Sequence, residues 1–374
     1  MFVAGITQAQ VNIQGNVTNP LKQPLQGATV TLYVAGSKTG TAISNSAGYF
    51  IFGNITPNAA CKLTVQYVGK KTAEETFTAS DNKTLAIVLE DLAYLLEPLE
   101  VKALRAGAKT PFAKTDLTAE DLAKVNTGQD IPYLLNQTPS VNVSSDAGNG
   151  VGYTSIHIRG TDATRINVTL NGIPYNDAES AGTYFVDVPD LASSAGSVQI
   201  ARGVGPSTNG SGAFGATINI STNECNEHAY AESNNSVGSF NTWKNTVKLG
   251  SGLLNGHFTM DARFSQLSSN GYVDRARSNL QSMYLSTAYI AKNTSLRFNF
   301  LSGREKTYQS WFGIDSTTLA TNRRYNPAGQ EKPGSPYPNE TDNYWQQHYQ
   351  LFLNQKLNSA WGINVASFLT RGYG

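Results

Sequence analysis

The sequence predicts a mostly β protein built in three successive parts. A small N-terminal β-sandwich comes first, then a glycine-punctuated α+β domain, then a series of long antiparallel strands. Three observations predict this. Short alternating runs separated by Gly, Asn and Pro recur at roughly ten-residue spacing through residues 11–90, the pattern of a sandwich. In the middle, Ser197–Ala201 and Ala216–Ile220 are β-branched, alternating runs flanking five glycines and a proline, a composition for sharp turns packed closely against other backbone. From Tyr230 onward the pattern becomes one of long alternating strands.

Composition narrows the functional classes. Of 374 residues only 15% are charged, against about 25% in an average soluble domain. The 28 basic and 27 acidic residues nearly cancel, which speaks against a nucleic-acid surface or a polybasic membrane patch. Cys61 and Cys225 lie far apart with no metal-ligand spacing, so no zinc site is implied and two isolated buried thiols are expected. No metal or cofactor is called for. No apolar run is long enough for a membrane helix, but barrel strands carry a much weaker hydropathy signal and are not excluded.

Residues 1–10, with a short apolar stretch and a small residue near a possible cleavage point, read as the remnant of a secretory signal. The sandwich occupies 11–90. Its strands are expected at 13–18, 28–34, 49–52, 62–69 and 84–89. Pro24-Leu25-Gln26-Gly27-Ala28-Thr29-Val30, Gly48-Tyr49-Phe50 and Tyr67-Val68-Gly69 resemble the carboxypeptidase regulatory-like domain, a transthyretin-like sandwich. That resemblance implies a non-catalytic appendage, usually fused in front of larger domains in the Bacteroidetes group of bacteria. Residues 91–115 read as a linker, with Pro98 blocking helix.

The middle domain is expected over 116–222. Thr118 can cap a short helix with Asp121 placed for a capping box, and Asp130 caps another with Pro132 in its first turn. The first strand of the domain is expected at Thr138–Val143, followed by a polar loop. Ile158-Arg159-Gly160, Leu170-Asn171-Gly172-Ile173-Pro174, and Val198–Gly203 running into Gly210–Ile220 occur in the order and spacing of the plug domain of TonB-dependent outer-membrane receptors, which this stretch resembles. The family more often has Asp where Asn171 stands, and a second Gly where Ala216 stands. Gly210-Ser211-Gly212-Ala213-Phe214-Gly215 also fits a dinucleotide fingerprint, but that motif must open a helix, and a strand pattern follows it here.

The resemblance implies several roles. Glu97, Pro98, Leu99, Glu100 and Val101 would form the TonB box, adding a strand to the periplasmic C-terminal domain of TonB. Arg159 and Arg202 would pair with acidic residues on the inner barrel wall, or else make bonds within the plug. Three loops would face the extracellular side and contact a small-molecule ligand such as a metal chelate. They are 144–153 with Asp146, Asn149 and Tyr153; 161–165 with Asp162 and Arg165; and 174–185 with Tyr175, Asn176, Asp177, Glu179, Tyr184 and Phe185.

Residues 223–374 alternate strongly. Phe258, Met260, Ala262 and Phe264 share one face and Thr259, Asp261, Arg263 and Ser265 the other. Periodicity alone fits either a soluble sandwich or a transmembrane β-barrel against outer-membrane lipid. Strand length, aromatic residues near the strand ends and the plug ahead of them select the barrel. Residues 304–341, rich in Pro, are expected as a long extracellular loop. Roughly seven strands are expected, whereas a plugged transporter barrel has about 22, so the gene is expected to continue beyond Gly374.

The functional expectation is an active-transport receptor for a scarce solute, an iron–siderophore complex foremost. Arg202-Gly203-Val204-Gly205-Pro206 departs from the glycan-specialised branch. The rival reading is an extracellular carbohydrate- or protein-binding adhesion module without transport. Catalysis is not expected: none of His157, His228, His257 and His348 has a zinc-protease context, and no Gly-x-Ser-x-Gly elbow occurs.

Overall fold

The computed structural model describes residues 11–67, 70–90, 113–203, 214–226, 228–358 and 360–374. The expected signal remnant, the Glu97–Val101 segment and most of the central glycine-rich turn lie outside the described residues. The chain divides into two compact units, Met1–Tyr94 and Leu95–Gly374.

The first unit is the expected sandwich. Its strands are β1 (Val11–Thr18), β2 (Thr29–Val34), β3 (Ser37–Ile43), β4 (Tyr49–Ile55), β5 (Ala60–Gln66), β6 (Ala73–Thr78) and β7 (Lys83–Val88). They form two sheets, β4-β1-β7 and β3-β2-β5-β6. Alternate residues of β1, β2 and β5, among them Ile13, Val17, Val30, Leu32, Leu63 and Val65, close over Phe50 in one core. The sequence reading missed β3 and β6. Both are edges of the four-stranded sheet, and edge strands are kept polar, so they carry little hydrophobic signal. Cys61 is buried as expected, but Cys225 is only half-buried.

The second unit opens with β8 (Lys114–Thr118), a strand ahead of the one expected first and beginning inside the expected linker. Helix α1 (Ala119–Val125) follows, and Thr118 and Asp121 form the predicted capping box. Asp130 precedes α2 (Ile131–Leu134), but its carboxylate does not cap the helix. It turns inward and accepts a hydrogen bond from Thr154 at 3.1 Å. Strands β9 (Val141–Ser145) and β10 (Thr154–Ile158) make a hairpin. Strands β11 (Ile166–Leu170), β12 (Ile173–Pro174), β13 (Ser197–Arg202) and β14 (Ala216–Ser221) join β8 in a mixed sheet of order β12-β11-β14-β13-β8. β14 follows the glycine-rich turn as a strand, parallel to β11 and antiparallel to β13, so the dinucleotide reading lacks its helix. Leu122, Ile156, Val168, Ile200 and Ile218 lie in the core beneath this sheet.

The remaining strands form one antiparallel meander in chain order. They are β15 (Tyr230–Gly238), β16 (Thr242–Gly250), β17 (Phe258–Ser269), β18 (Ser278–Ile290), β19 (Thr294–Tyr308), β20 (Thr341–Lys356) and β21 (Gly362–Tyr373). Seven strands match the expected number. The loop after β19 covers 309–340 rather than starting at 304, and holds a short helix α3 (Ser316–Thr321).

The burial of these strands is inverted relative to a soluble protein. On β17, Phe258, Met260 and Phe264 are each more than half exposed, while Thr259, Asp261, Arg263 and Ser265 are buried. On β19, Leu296 and Phe298 face out while Arg297 and Asn299 are buried. In water this arrangement would leave a continuous apolar surface uncovered. It is the arrangement of strands with lipid on one side and a polar, filled lumen on the other.

Candidate functional site

The middle domain is seated against the polar face of the strand wall through a buried ionic cluster. Its centre is Asp190, which sits in the left-handed region (φ 53°), where Asp is tolerated better than most residues. That backbone turn directs the carboxylate into the wall. Oδ1 lies 2.7 Å from Lys244 Nζ on β16, and Oδ2 lies 3.4 Å from Arg263 Nη1 on β17. All three side chains are essentially fully buried. Burying such charges is costly unless every lone pair is satisfied. Here Thr246 and Ser265 donate to Oδ2 at 2.7 and 2.6 Å, and Ser193 donates to Oδ1 at 2.6 Å, so the carboxylate is satisfied, whereas Nε and Nη2 of the buried Arg263 have no hydrogen-bond partner among the described residues. Burial pushes the Asp190 pKa up, but the Arg263 guanidinium and the Lys244 ammonium outweigh it and hold the carboxylate well below its usual range.

Backbone contacts reinforce the seat. Arg263 Nη1 donates to Asp190 O at 2.8 Å, and Ser282 donates to Pro189 O at 2.6 Å. Gly303 on β19 lets the wall approach the Asp187 backbone so closely that an added Cβ would fall 1.9 Å from its carbonyl oxygen. A second contact lies at the β11–β12 turn. Asn171 donates to Gln350 Oε1 on β20 and to Thr222 Oγ1, each at 2.9 Å, and accepts from Thr222 N at 2.7 Å. The amide serves both directions, which an ionised carboxylate could not.

Above the seat, toward the 309–340 loop, lies a cleft of about 840 Å³ between the middle domain and the wall. Tyr175, Asp177, Glu179, Asp187, Tyr344 and His348 line it, with Tyr153 at its rim. Tyr153 Oη lies 3.0 Å from Glu305 Oε1 and 2.8 Å from Asp342 Oδ2, and its ring packs edge-on against Tyr184 and Trp311. Burial, with Glu305 and Asp342 nearby, pushes the Asp187 pKa up to about 8. Burial does the same for Asp130, also to about 8, against the opposing hydrogen bond from Thr154. The cleft therefore combines aromatic faces with carboxyl groups, one of which, Asp187, is shifted toward its neutral form. Among the described residues no cluster of three His, Cys, Asp or Glu side chains is arranged to hold a metal ion.

Residues 107–217 match the TonB-dependent receptor plug domain, and residues 12–90 match the carboxypeptidase regulatory-like domain. The chain carries the plug domain of the TonB-dependent receptors. It is a bacterial outer-membrane protein, of a family whose members are receptors and transporters rather than enzymes. The vitamin B12 transporter BtuB of Vibrio vulnificus is 30% identical over 143 residues, which are 37% of this chain and 22% of that protein. Among solved structures, the siderophore receptor PirA of Acinetobacter baumannii aligns over 69% of this chain and 40% of its own, with 17% identity and TM-score 0.52. The ferric yersiniabactin uptake receptor FyuA of Yersinia pestis aligns over 72% and 42%, with 14% identity and TM-score 0.55. The chain thus spans about two-fifths of the length of these solved receptors.

The receptor's fold brings the first and third expected loops together and leaves the second apart. Tyr153 and Tyr184 meet at the cleft rim, with Tyr175, Asn176, Asp177 and Glu179 beside them. Asn149 does not reach into the cleft. It bonds Ser269 and Thr242 of the wall at 2.7 and 3.3 Å. Asp146 is half-buried, and burial raises its pKa. Asn176 and Asp177 shape their own loop: Asn176 bonds the β11 backbone at Val168 N and Ile166 O, and Asp177 accepts from the amides of Glu179 and Ser180. Phe185 is a core residue, not a ligand-facing one, packed in the plug interior at 4% exposure. The 161–165 loop leaves the opposite end of the β9–β10 hairpin from Tyr153. There Asp162 caps a 3₁₀ turn and Arg165 lies over the Phe214 ring, away from the cleft.

The two arginines expected to lock plug to wall do not do so among the described contacts. Arg159 is exposed, with its guanidinium beside Gly203. Arg202 donates to Thr115 Oγ1 at 3.0 Å and Pro139 O at 3.4 Å, both within the plug. Among the described residues the plug–wall ion pairs have the reverse polarity: the acid belongs to the plug and the cations to the wall. Sequence reasoning missed Asp190, Lys244 and Gly303. Only Gly303 left a signal, as a lone glycine inside a strand pattern.

Proposed function

We propose that the receptor binds a scarce solute in the cleft beneath the 309–340 loop and imports it with energy drawn through the Glu97–Val101 segment by TonB. A ferric siderophore is the leading cargo. The names of PirA and FyuA support this choice, with cobalamin next on the strength of BtuB. The observation that carries the reading is the buried Asp190–Lys244–Arg263 seat. A permanent plug would be held as well by apolar packing. An ionic seat whose acid is satisfied only when plug and wall are aligned, and whose Arg263 keeps two nitrogens unpartnered among the described residues, can be released by a pull and can re-form in one register. The acid-and-aromatic cleft supplies a chamber of a size suited to a small chelate. The regulatory-like sandwich stands on the periplasmic side as an appendage, and outer-membrane lipid surrounds the wall. An adhesion module has no use for a seat of this kind.

The test is deletion of Glu97–Val101 in the full-length receptor, in cells grown under iron limitation. Ferric-siderophore binding at the cell surface should persist while energy-dependent uptake is lost. Uptake that survives with binding intact would refute the coupling role of this segment. Loss of both would refute a binding site separate from it.

A further inference from the structure

The outward face of the wall changes character along the strands. Cross-strand register aligns Phe258, Tyr289, Leu296 and Leu353 in one row and Met260, Thr287, Phe298 and Leu351 in the next, a surface for acyl chains. Toward the 309–340 loop the rows become polar. One is Asn245, Gln266, Gln281, Arg304 and Trp345, and the row above it contains Lys306 beside Asn279 and Asn343. Outward positions of β17–β20 thus carry two cations and no acidic residue. Both cations are exposed, and neither has an acidic partner among the described residues. An outward cleft of about 560 Å³ lies at this boundary, with Arg304, Gln281, Gln266 and Trp345 on its polar side and Met283, Phe264 and Val247 on its apolar side. The indole of Trp345 is fixed by donation to Ser302 Oγ at 2.8 Å.

We propose that this cleft is a binding site for an anionic lipid of the surrounding bilayer. The lipid's phosphate would meet Arg304 and Lys306, the headgroup would be bonded by the Gln and Asn amides, and the first acyl segment would rest on Met283 and Phe264. Charge complementarity selects the occupant. Two unpaired cations above an apolar band suit a phosphate that carries its own acyl chains, and a zwitterionic headgroup would bring an ammonium against Arg304. The proposal rests on the wall spanning the membrane and is independent of which solute is transported.

The test uses the full-length receptor purified in detergent, with retained lipid read by native mass spectrometry after exposure to phosphatidylglycerol or phosphatidylcholine. The wild type should retain phosphatidylglycerol selectively. Arg304→Gln with Lys306→Gln should lower that retention about 25-fold, about fivefold for each cation near a membrane surface. Arg304→Lys should keep most of it. Equal retention of the two lipids by the wild type, undiminished retention by the double variant, or displacement by inorganic phosphate alone would each overturn the proposal. Should the double variant fail to fold, a salt titration of the wild type decides: selectivity should fall as salt rises, and selectivity indifferent to salt overturns the proposal.

Discussion

Replacing Asp190 with Asn tests the seat most sharply. Asn tolerates the left-handed backbone at this position and nearly preserves the side-chain shape, so the perturbation is the loss of the charge and of one of the two accepting oxygens. It leaves Lys244 and Arg263 buried without a counter-ion, 2.7 and 3.4 Å from a neutral group. Breaking a buried pair by removing one partner costs about 3–5 kcal/mol. With the amide oxygen accepting from Thr246 and Ser265, the amide nitrogen faces the Lys244 ammonium, donor against donor, so the loss is at least about 3 kcal/mol, or roughly two orders of magnitude in the opening equilibrium. The readout is amide hydrogen exchange in the Leu191–Ala195 turn, which the seat covers, with β18 as an internal reference. Protection in the turn should fall by about two orders of magnitude while β18 is unchanged. Protection within a few-fold of wild type would show that the ion pairs do not hold the plug. So would equal loss in turn and strand, because the seat would then be inseparable from the wall.

Two further outcomes follow from the same interface. Gly303→Ala places a methyl 1.9 Å from Asp187 O and 2.8 Å from Pro189. Overpacking of this kind costs about 1–3 kcal/mol, and plug amides should lose protection while the strand signal in circular dichroism persists. Asp130 and Asp187 have folded pKa values raised to about 8, against roughly 3.9 in an unfolded chain. Their contribution is complete below the unfolded value and is lost as pH rises toward 8, so plug stability should fall between about pH 4 and 8. Asp130→Asn and Asp187→Asn should each flatten that slope in thermal unfolding. Asp190 behaves oppositely. Its pKa is held low, so the seat weakens only in strong acid and should survive at pH 5.

Strands whose side chains alternate between core and surface were legible, since burial of one face imposes a period of two. That covers β1, β2, β5 and the long strands of the wall, whereas β13 and β14, buried on both faces, were legible as short β-branched runs bounded by glycine. The edge strands β3, β6 and β8 were not, because edges stay polar and give no periodic signal. Alternation also cannot say which face is outside. Phe264 and Ser265 would read the same in a soluble sandwich, and only their exposures, 51% and 5%, separate the cases. The site was harder still. Pro189-Asp190-Leu191 looks like an ordinary turn, and Lys244 and Arg263 look like ordinary polar-face residues until a long-range contact joins them. Loop 161–165 was grouped with the cleft because a sequence does not reveal at which end of a hairpin its flanking loops emerge. Phe185 was misread for a related reason: a ring in a loop-like segment can point into the core as readily as toward a ligand.

The central claim is that the wall is lined with polar groups around the plug and coated with apolar ones against lipid. Nitroxide labels placed singly at 258–265 in the receptor, reconstituted in bilayers, test it directly through collision with oxygen dissolved in the acyl region. Labels at Phe258, Met260 and Phe264 should be oxygen-accessible, and those at Thr259, Asp261, Arg263 and Ser265 shielded. A profile of the opposite phase, or one with no two-residue period, would contradict the account.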